Sequence, residues 1–490
     1  MSRLILASLS LIFAAMTAGP ATAGDPLEFV VLGDDTLARI DMRIEVEGSL
    51  VSAVWDETFA RLFSFFDGDG NGVIDEKEAS RLPSPLALRK ALGSGFTPPV
   101  GRAPAFGELD RDGDAKVTAG ELAAFYRGKG TGDVIVGVGR LPGGARLTSA
   151  LLKFLDPDGD GKVTQKDWGA AADDMGKLDA NDDELIGAGE LVSKLLYPGA
   201  AGTIQMKPPS SEATHSDVLG DLPLVLLPMD RKDTYWADEI ARRKPGVKSV
   251  APAEWRGCDA DGHWIARLGE TMDVGKFAFV GGHVRVSGWV AGGRLNESVS
   301  SSRQTMTTQF ENPTNEPEDI AGNGRRRRGG NLLWLTPIAD VNGDGKLDRM
   351  EFDAWLDLQS QIARGQVLLT ILDGGGLFEL LDASHDGALS TRELRTSWDR
   401  LKETGCVEEG LFDRARVPRV VLAAVSRGYP KSLSPEQRRS PAWAKAMDRN
   451  GDGDVSRREF TGTAEKFAQL DRDNDGLIDA DEAAQATSGK

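Results

Sequence analysis

Only two of the 490 residues are cysteine, Cys258 and Cys406. That excludes thiolate zinc sites and a fold stapled by several disulfides. The two either pair, joining the middle of the chain to its C-terminal part, or are two small buried residues. Histidine is nearly as scarce: His215, His263, His283 and His385 are the full set, with no HExxH pairing. GxSxG elbow, P-loop and GxGxxG cradle are all missing, and with them the commonest nucleophile and phosphate-binding devices. After the first residues no apolar run reaches the ~18 residues of a membrane span. Positive charge is in deficit as well. Against 76 Asp and Glu stand 58 Lys and Arg, a net charge of −18, and such a chain repels nucleic acid phosphate.

The N-terminus reads as an export signal. Arg3 is followed by a short apolar stretch over residues 4–16 and by Ala21-Thr22-Ala23, an A-x-A cleavage site. We expect residues 1–23 to be removed and the mature chain to be exported, to the periplasm, the cell envelope or the medium, without a membrane span.

Many of the acidic residues fall into a recurring 12-residue pattern. It starts at Asp67, Asp110, Asp156, Asp179, Asp340, Asp382, Asp448 and Asp471. The steps are 43, 46 and 23 in the first half and 42, 66 and 23 in the second, so a duplicated four-loop unit is expected. Within each stretch, oxygen-bearing side chains recur at positions 1, 3, 5, 9 and 12, where position 7 offers a backbone carbonyl and position 6 needs a sharp turn. Six to eight hard oxygens closing on one point suit a calcium ion.

Four stretches match this template throughout. The first has Asp67, Asp69, Asn71, Val73, Asp75 and Glu78; the fifth has Asp340, Asn342, Asp344, Lys346, Asp348 and Glu351. The seventh has Asp448, Asn450, Asp452, Asp454, Ser456 and Glu459; the eighth has Asp471, Asp473, Asp475, Leu477, Asp479 and Glu482. The second (Asp110, Asp112, Asp114, Lys116, Thr118, Glu121) has Ala115 at the turn, which must go left-handed at a cost of roughly 1 kcal/mol. The third (Asp156, Asp158, Asp160, Lys162, Thr164, Asp167) ends in a short Asp, which makes bidentate contact harder. The sixth (Asp382, Ser384, Asp386, Ala388, Ser390, Glu393) loses one charge at position 3. In the fourth (Asp179, Asn181, Asp183, Leu185, Glu190), Glu184 replaces the turn glycine and Gly187 occupies position 9, making it the loop least suited to hold an ion. Position 8 is an independent check. It is Ile74, Val117, Val163, Ile186, Leu347, Leu389, Val455 and Ile478, branched and apolar each time, although it supplies no side-chain ligand.

These loops resemble those of the EF-hand superfamily, and the chain as a whole looks like exported bacterial proteins with many such loops. The resemblance implies paired helix–loop–helix units, each loop holding one Ca2+, with position 8 of paired loops meeting in a short β-bridge. The fold expected is mainly α with small β pieces: eight EF-hand motifs in two four-loop halves, each half preceded by a short β-hairpin region. Residues 24–198 would hold a β region and loops one to four, 199–330 a linker and β-rich middle, and 331–490 loops five to eight. RIDMRIEVE over 39–47 alternates as a half-buried strand with 27–32 as partner, and KFAFVGGHVRVSGWV over 276–290 reads as two strands about a Gly-Gly turn. The 23-residue steps leave 11 residues between loops. Either that connecting helix breaks or those loops pair differently.

The function expected is calcium binding in a structural or buffering role, not catalysis. One alternative is a sensor or adaptor that exposes a groove to a protein partner. The other is an enzyme with catalytic residues in 220–310, for which Asp259, Asp261, His263 and His283 are the candidates. His385, inside the sixth loop, is expected to face solvent, and the Arg325–Arg328 run to be a solvated loop.

Overall fold

The computed structural model describes residues 27–33, 37–85, 87–88, 102–129, 133–156, 162–197, 221–227, 234–244, 260–269, 276–312, 332–428, 430 and 440–488. The leader, Asp158, Asp160, His215, Cys258, Asp259 and the Arg325–Arg328 run lie outside the described residues.

Seventeen strands are described, β1 Leu27–Leu32, β2 Leu37–Val46, β3 Ser49–Leu50, β4 Val134–Arg140, β5 Val163–Thr164, β6 Leu185–Gly187, β7 Leu224–Leu227, β8 Gly262–Leu268, β9 Phe277–Gly281, β10 Val284–Val290, β11 Val367–Asp373, β12 Ala388–Ser390, β13 Val407–Glu408, β14 Leu411–Phe412, β15 Arg419–Ser426, β16 Val455–Ser456 and β17 Leu477–Ile478. They build two five-stranded sheets and three small ones. The first sheet runs β3-β2-β1-β7, with β8 parallel to β2. The second runs β4-β11-β15-β10-β9; β4 is parallel to β11 and β10 to β15, while β11 and β15 are antiparallel.

The two large sheets pack face to face. Ile40, Met42, Ile44 and Val46, the apolar side of RIDMRIEVE, meet Val284, Val286, Val421, Ala423 and Val425 in one core. Burying each Val, Leu or Ile contributes roughly 1.5–3 kcal/mol. Trp264 enters this core above Gly288, where an added Cβ would lie 2.7 Å from the indole. The second sheet is apolar on both faces: Trp289, Leu372, Val420, Leu422 and Ala424 point the other way, into helices Gly144–Leu155, Gln165–Met175, Leu377–Leu381 and Thr391–Glu403.

This corrects the expected fold. The protein is mixed α/β rather than mainly α, and its strands do not form two isolated hairpin patches. VIVGVGR, VLLTILD and RVVLAAVS are strands in addition to those expected at 27–32, 39–47 and 276–290. Strands buried on both faces lose the polar–apolar alternation that marks a half-buried strand.

Nor do the loops form two four-loop halves. The first, second and fifth surround one apolar cluster that includes Phe59, Leu62, Phe66, Phe352 and Trp355. The third, fourth and sixth sit under the second sheet. The seventh and eighth have a small core of their own around Val455, Phe467 and Ile478. The two 23-residue steps are solved in different ways. Helix Gln165–Met175 runs on into a 3-10 turn at Gly176–Leu178, and the third and fourth loops do not pair. Between the seventh and eighth, helix Ala464–Leu470 starts only after a break, and these loops do pair through β16 and β17. Among the described residues no helix is long and apolar enough to cross a membrane.

Candidate metal centres

Each loop is shaped by helix-end chemistry. Position 1 caps an incoming helix: the Asp67 amide donates to Phe63 O at 2.9 Å, and Asp340, Asp382, Asp448 and Asp471 close their helices in the same way. Its carboxylate then accepts from amides further on. Asp67 takes Asn71 N (3.1 Å) and Gly72 N (3.0 Å); Asp340 takes Gly343 N (2.7 Å) and Gly345 N (2.9 Å). The chain can wrap this tightly because positions 4 and 6 are left-handed. Gly70 and Gly72 have φ of +71° and +85°, and Ala115 has +63°, as its place in the pattern requires. Glu184 carries the same backbone strain at +65°.

Position 12 is held at both ends. In the first loop Glu78 Oε1 accepts from Gly68 N (2.7 Å) and Oε2 from Asp75 N (3.1 Å), while Asp75 Oδ1 accepts from Glu78 N (2.8 Å). The last two bonds are a helix capping box, so the acid that would chelate an ion also starts the outgoing helix. The same two-ended clamp recurs at Glu121, Glu190, Glu351, Glu393, Glu459 and Glu482. In the third loop Asp167 accepts from Thr164 N (3.0 Å). At position 7 the amides of Val73, Lys116, Leu185, Lys346, Ala388, Asp454 and Leu477 each donate to position 5.

These residues fit a divalent ion on two observations. Carboxylate oxygens of Asp67, Asp69 and Glu78 lie within 4.8 Å of one another, as do those of Asp110, Asp112 and Glu121, and of Asp471, Asp473 and Asp475. Asp471 Oδ1 is buried without a hydrogen-bond partner. Such a group is costly unless a cation meets it.

Pairing follows position 8, but not sequence order. Ile74 and Val117 bridge the first and second loops with two bonds of 2.9 and 3.0 Å. Leu389 pairs with Ile186, joining the sixth loop to the fourth, and Val455 pairs with Ile478. Val163 of the third loop pairs with Phe412, on the β13–β14 hairpin instead of another loop. Leu347 packs against its core without a bridge among the described residues.

Burial sets the loops apart electrostatically. In the sixth, Asp382, Ser390 and Glu393 are buried. Desolvation, with repulsion between the acids, pushes the Asp382 and Glu393 carboxyls up. Burial, then repulsion from Asp448 and Glu459, pushes Asp452 of the seventh up to about 7. His385 does not face solvent as expected. Its ring stacks on Trp289 with centroids 4.2 Å apart, because the sixth loop lies against β10. Burial, then the charges of Lys276, Arg285 and Arg400, lower its pKa to about 3. In the fourth loop, Glu184 and Asp182 face Arg458 of the seventh, at 3.6 and 2.8 Å.

Of the four residues considered for catalysis, Asp261, His263 and His283 are among the described residues. Asp261 accepts from Arg39 N (2.7 Å), His263 lies beside Asp41 at the start of β8, and His283 sits in the β9–β10 turn. Cys406 is a buried free thiol, 3.3 Å from Thr404 Oγ1.

Comparison with known proteins agrees with the loops. A family model described as EF hand matches residues 59–82, 338–356, 445–461 and 464–482. These are the first, fifth, seventh and eighth loops, so the family model reaches four positions rather than the expected eight. The chain is 30% identical over 148 residues to the probable calcium-binding protein CML16 of Oryza sativa subsp. japonica, covering 30% of this chain and 74% of that protein. No solved structure matches. With acid-lined loops built for a hard cation and a relative matched over most of its length, the chain belongs to the EF-hand calcium-binding superfamily and binds Ca2+.

Proposed function

We propose that calcium ligation extends beyond the four matched loops to the second, third, fourth and sixth, using the side chains at positions 1, 3, 5, 9 and 12 (in the fourth, where position 9 is Gly187, those at 1, 3, 5 and 12) and the carbonyl at position 7. The observation that carries this reading is the two-ended clamp on position 12, which recurs at Glu121 and Glu190 with the partners it has at Glu78, and at Glu393 with the position-3 amide of Ser384 in place of the position-2 amide. In the third loop the clamp is represented by Asp167 alone. The role we assign is structural and buffering, in an exported protein with residues 1–23 as its signal, and without catalysis. Acid clusters repel one another until an ion arrives, so calcium tightens loops whose flanking helices form the cores. At a free calcium level ten times the dissociation constant, each independent site adds roughly 1.4 kcal/mol.

Calorimetric titration of the chain from residue 24 tests this. We expect about six to eight ions, one per loop; two or fewer would overturn the assignment. An apolar dye added with and without calcium separates this role from a sensor, since a sensor opens a groove on loading and a structural site does not.

A further inference from the structure

Seven of the eight position 8 residues have a β partner: Ile74 with Val117, Ile186 with Leu389, Val455 with Ile478, and Val163 with Phe412. Leu347 of the fifth loop is the exception. The amides on either side of it are used inside the loop, Lys346 N on Asp344 Oδ1 (2.8 Å) and Asp348 N on Glu351 Oε2 (3.1 Å). The Leu347 amide and carbonyl make no hydrogen bond among the described residues. Lys346 and Asp348 are exposed, so the unpaired edge is open to water, and an open edge is a template for another strand. The fifth loop also differs in its apolar surface. Val341 at position 2 and Met350 at position 11 are 43% and 81% exposed, and among the described residues no other loop carries an exposed large hydrophobic. In the other seven loops those two positions hold glycine, alanine, proline or a charged residue.

We propose that the fifth loop pairs with the fifth loop of a second copy of this chain, Leu347 against Leu347 across a two-fold axis. The bridge at Ile74 and Val117 is reciprocal, each residue donating to the other at 2.9 and 3.0 Å. Identical residues can therefore face each other in the same way about a two-fold axis. Every other position 8 is already paired within the chain, so the matching free edge is the one on another molecule. Calcium controls the contact. Asp340, Asp344, Asp348 and Glu351 against Lys346 and Arg349 leave the loop with two negative charges. Two such loops repel until each holds one Ca2+. One loop a side makes a small interface, so the dimer is weak. The contact needs calcium in the fifth loop only, and is independent of whether the second, third, fourth and sixth loops take it.

Sedimentation velocity of the full chain over a concentration series, with calcium and with chelator, tests this. We expect a monomer in chelator and a monomer–dimer equilibrium in calcium. Met350→Ser should weaken the dimer about tenfold, because a two-fold interface counts each change twice, while calcium stoichiometry stays as in the parent chain. Leu196→Ser is the control: Leu196 is 90% exposed but belongs to no loop, and its loss should leave the dimer unchanged. Hydrogen exchange at the Leu347 amide should slow as chain concentration rises in calcium. A monomer at every concentration in calcium, a dimer that survives Met350→Ser or falls equally with Leu196→Ser, or a Leu347 amide equally protected at all concentrations, as when another stretch of the same chain covers it, would overturn the proposal.

Discussion

The Arg392 guanidinium, on the helix that leaves the sixth loop, lies 2.9 Å from Asp454 Oδ2 in the seventh. It also meets Asp475 and Asp479 of the eighth, at 3.4 and 3.2 Å. Arg395, one turn on, donates to the Asp475 carbonyl. One helix therefore ties the C-terminal loop pair to the body of the molecule through side chains that also belong to the loop pattern. Arg392→Ala should cost about 2 kcal/mol in chelator, between the values for exposed and buried ion pairs. Hydrogen exchange over residues 440–488 should quicken. Calcium affinity of the eighth loop should rise, because a competing cation has gone. Unchanged exchange would mean that the tie is incidental.

Acidity should act oppositely on the ion-free and calcium-loaded protein. Burial raises Asp452 to about 7 and Asp454 to about 8, above the ordinary value of 3.8. An acid whose pKa is higher in the fold carries extra proton there, so its contribution to stability grows as pH falls through the folded pKa. In chelator, the melting temperature of the C-terminal pair should therefore rise as pH is lowered from about 8 towards 5. Under limiting calcium, protons compete for Asp452, and the stabilisation by calcium should shrink over the same interval. Melting curves at several pH values, with calcium and with chelator, read both slopes.

Ala115 holds a left-handed backbone at φ +63°, with its neighbour at position 4, Gly113, at +76°. A Cβ in that region costs roughly 1–2 kcal/mol, and glycine's greater freedom in the unfolded chain returns up to about 1 of it. Ala115→Gly should stabilise the chelated protein by about 0.5–1 kcal/mol and tighten calcium at the second loop. Denaturant midpoints compared with the parent chain decide the sign.

The loops were legible because their chemistry is local. The position 1 carboxylate accepts from amides further along the loop, position 12 closes the capping box, and both jobs need particular side chains at fixed spacing whatever the fold around them. β2 was legible for a similar reason, since one face is wet and Ile40, Met42, Ile44 and Val46 alternate with charges. β11 and β15 were hidden because both faces are dry and every residue of VLLTILD is buried. Loop partners were hidden for another reason. An apolar position 8 announces that something pairs there but does not name it. Ile186 pairs with Leu389 and Val163 with Phe412 over distances that no local pattern encodes. One clue was available for the second of these: Glu409-Gly410, at φ +51° and +82°, is a two-residue hairpin turn between Val407-Glu408 and Leu411-Phe412.

The interleaving of the two chain halves rests on a backbone contact that can be tested by one methyl group. Gly144 begins the helix that leads to the third loop, and Gly375 follows β11 on the way to the sixth. A Cβ built on Gly144 would lie 2.4 Å from Gly375 Cα. No rotamer relieves a clash between a Cβ and a main chain, so the parallel strands β4 and β11 would have to part at that end. Gly144→Ala should cost about 3 kcal/mol, at the upper end for overpacking, and it should impair the third, fourth and sixth loops together because they share the core beneath this sheet. The first, second, seventh and eighth should keep their ions, having separate cores. Gly169→Ala is the control. That glycine is exposed within helix Gln165–Met175, nothing lies within 4 Å of an added Cβ, and alanine there should stabilise by about 0.5–1 kcal/mol. Equal behaviour of the two variants in denaturation and calcium titration would show that the halves are not locked at this contact.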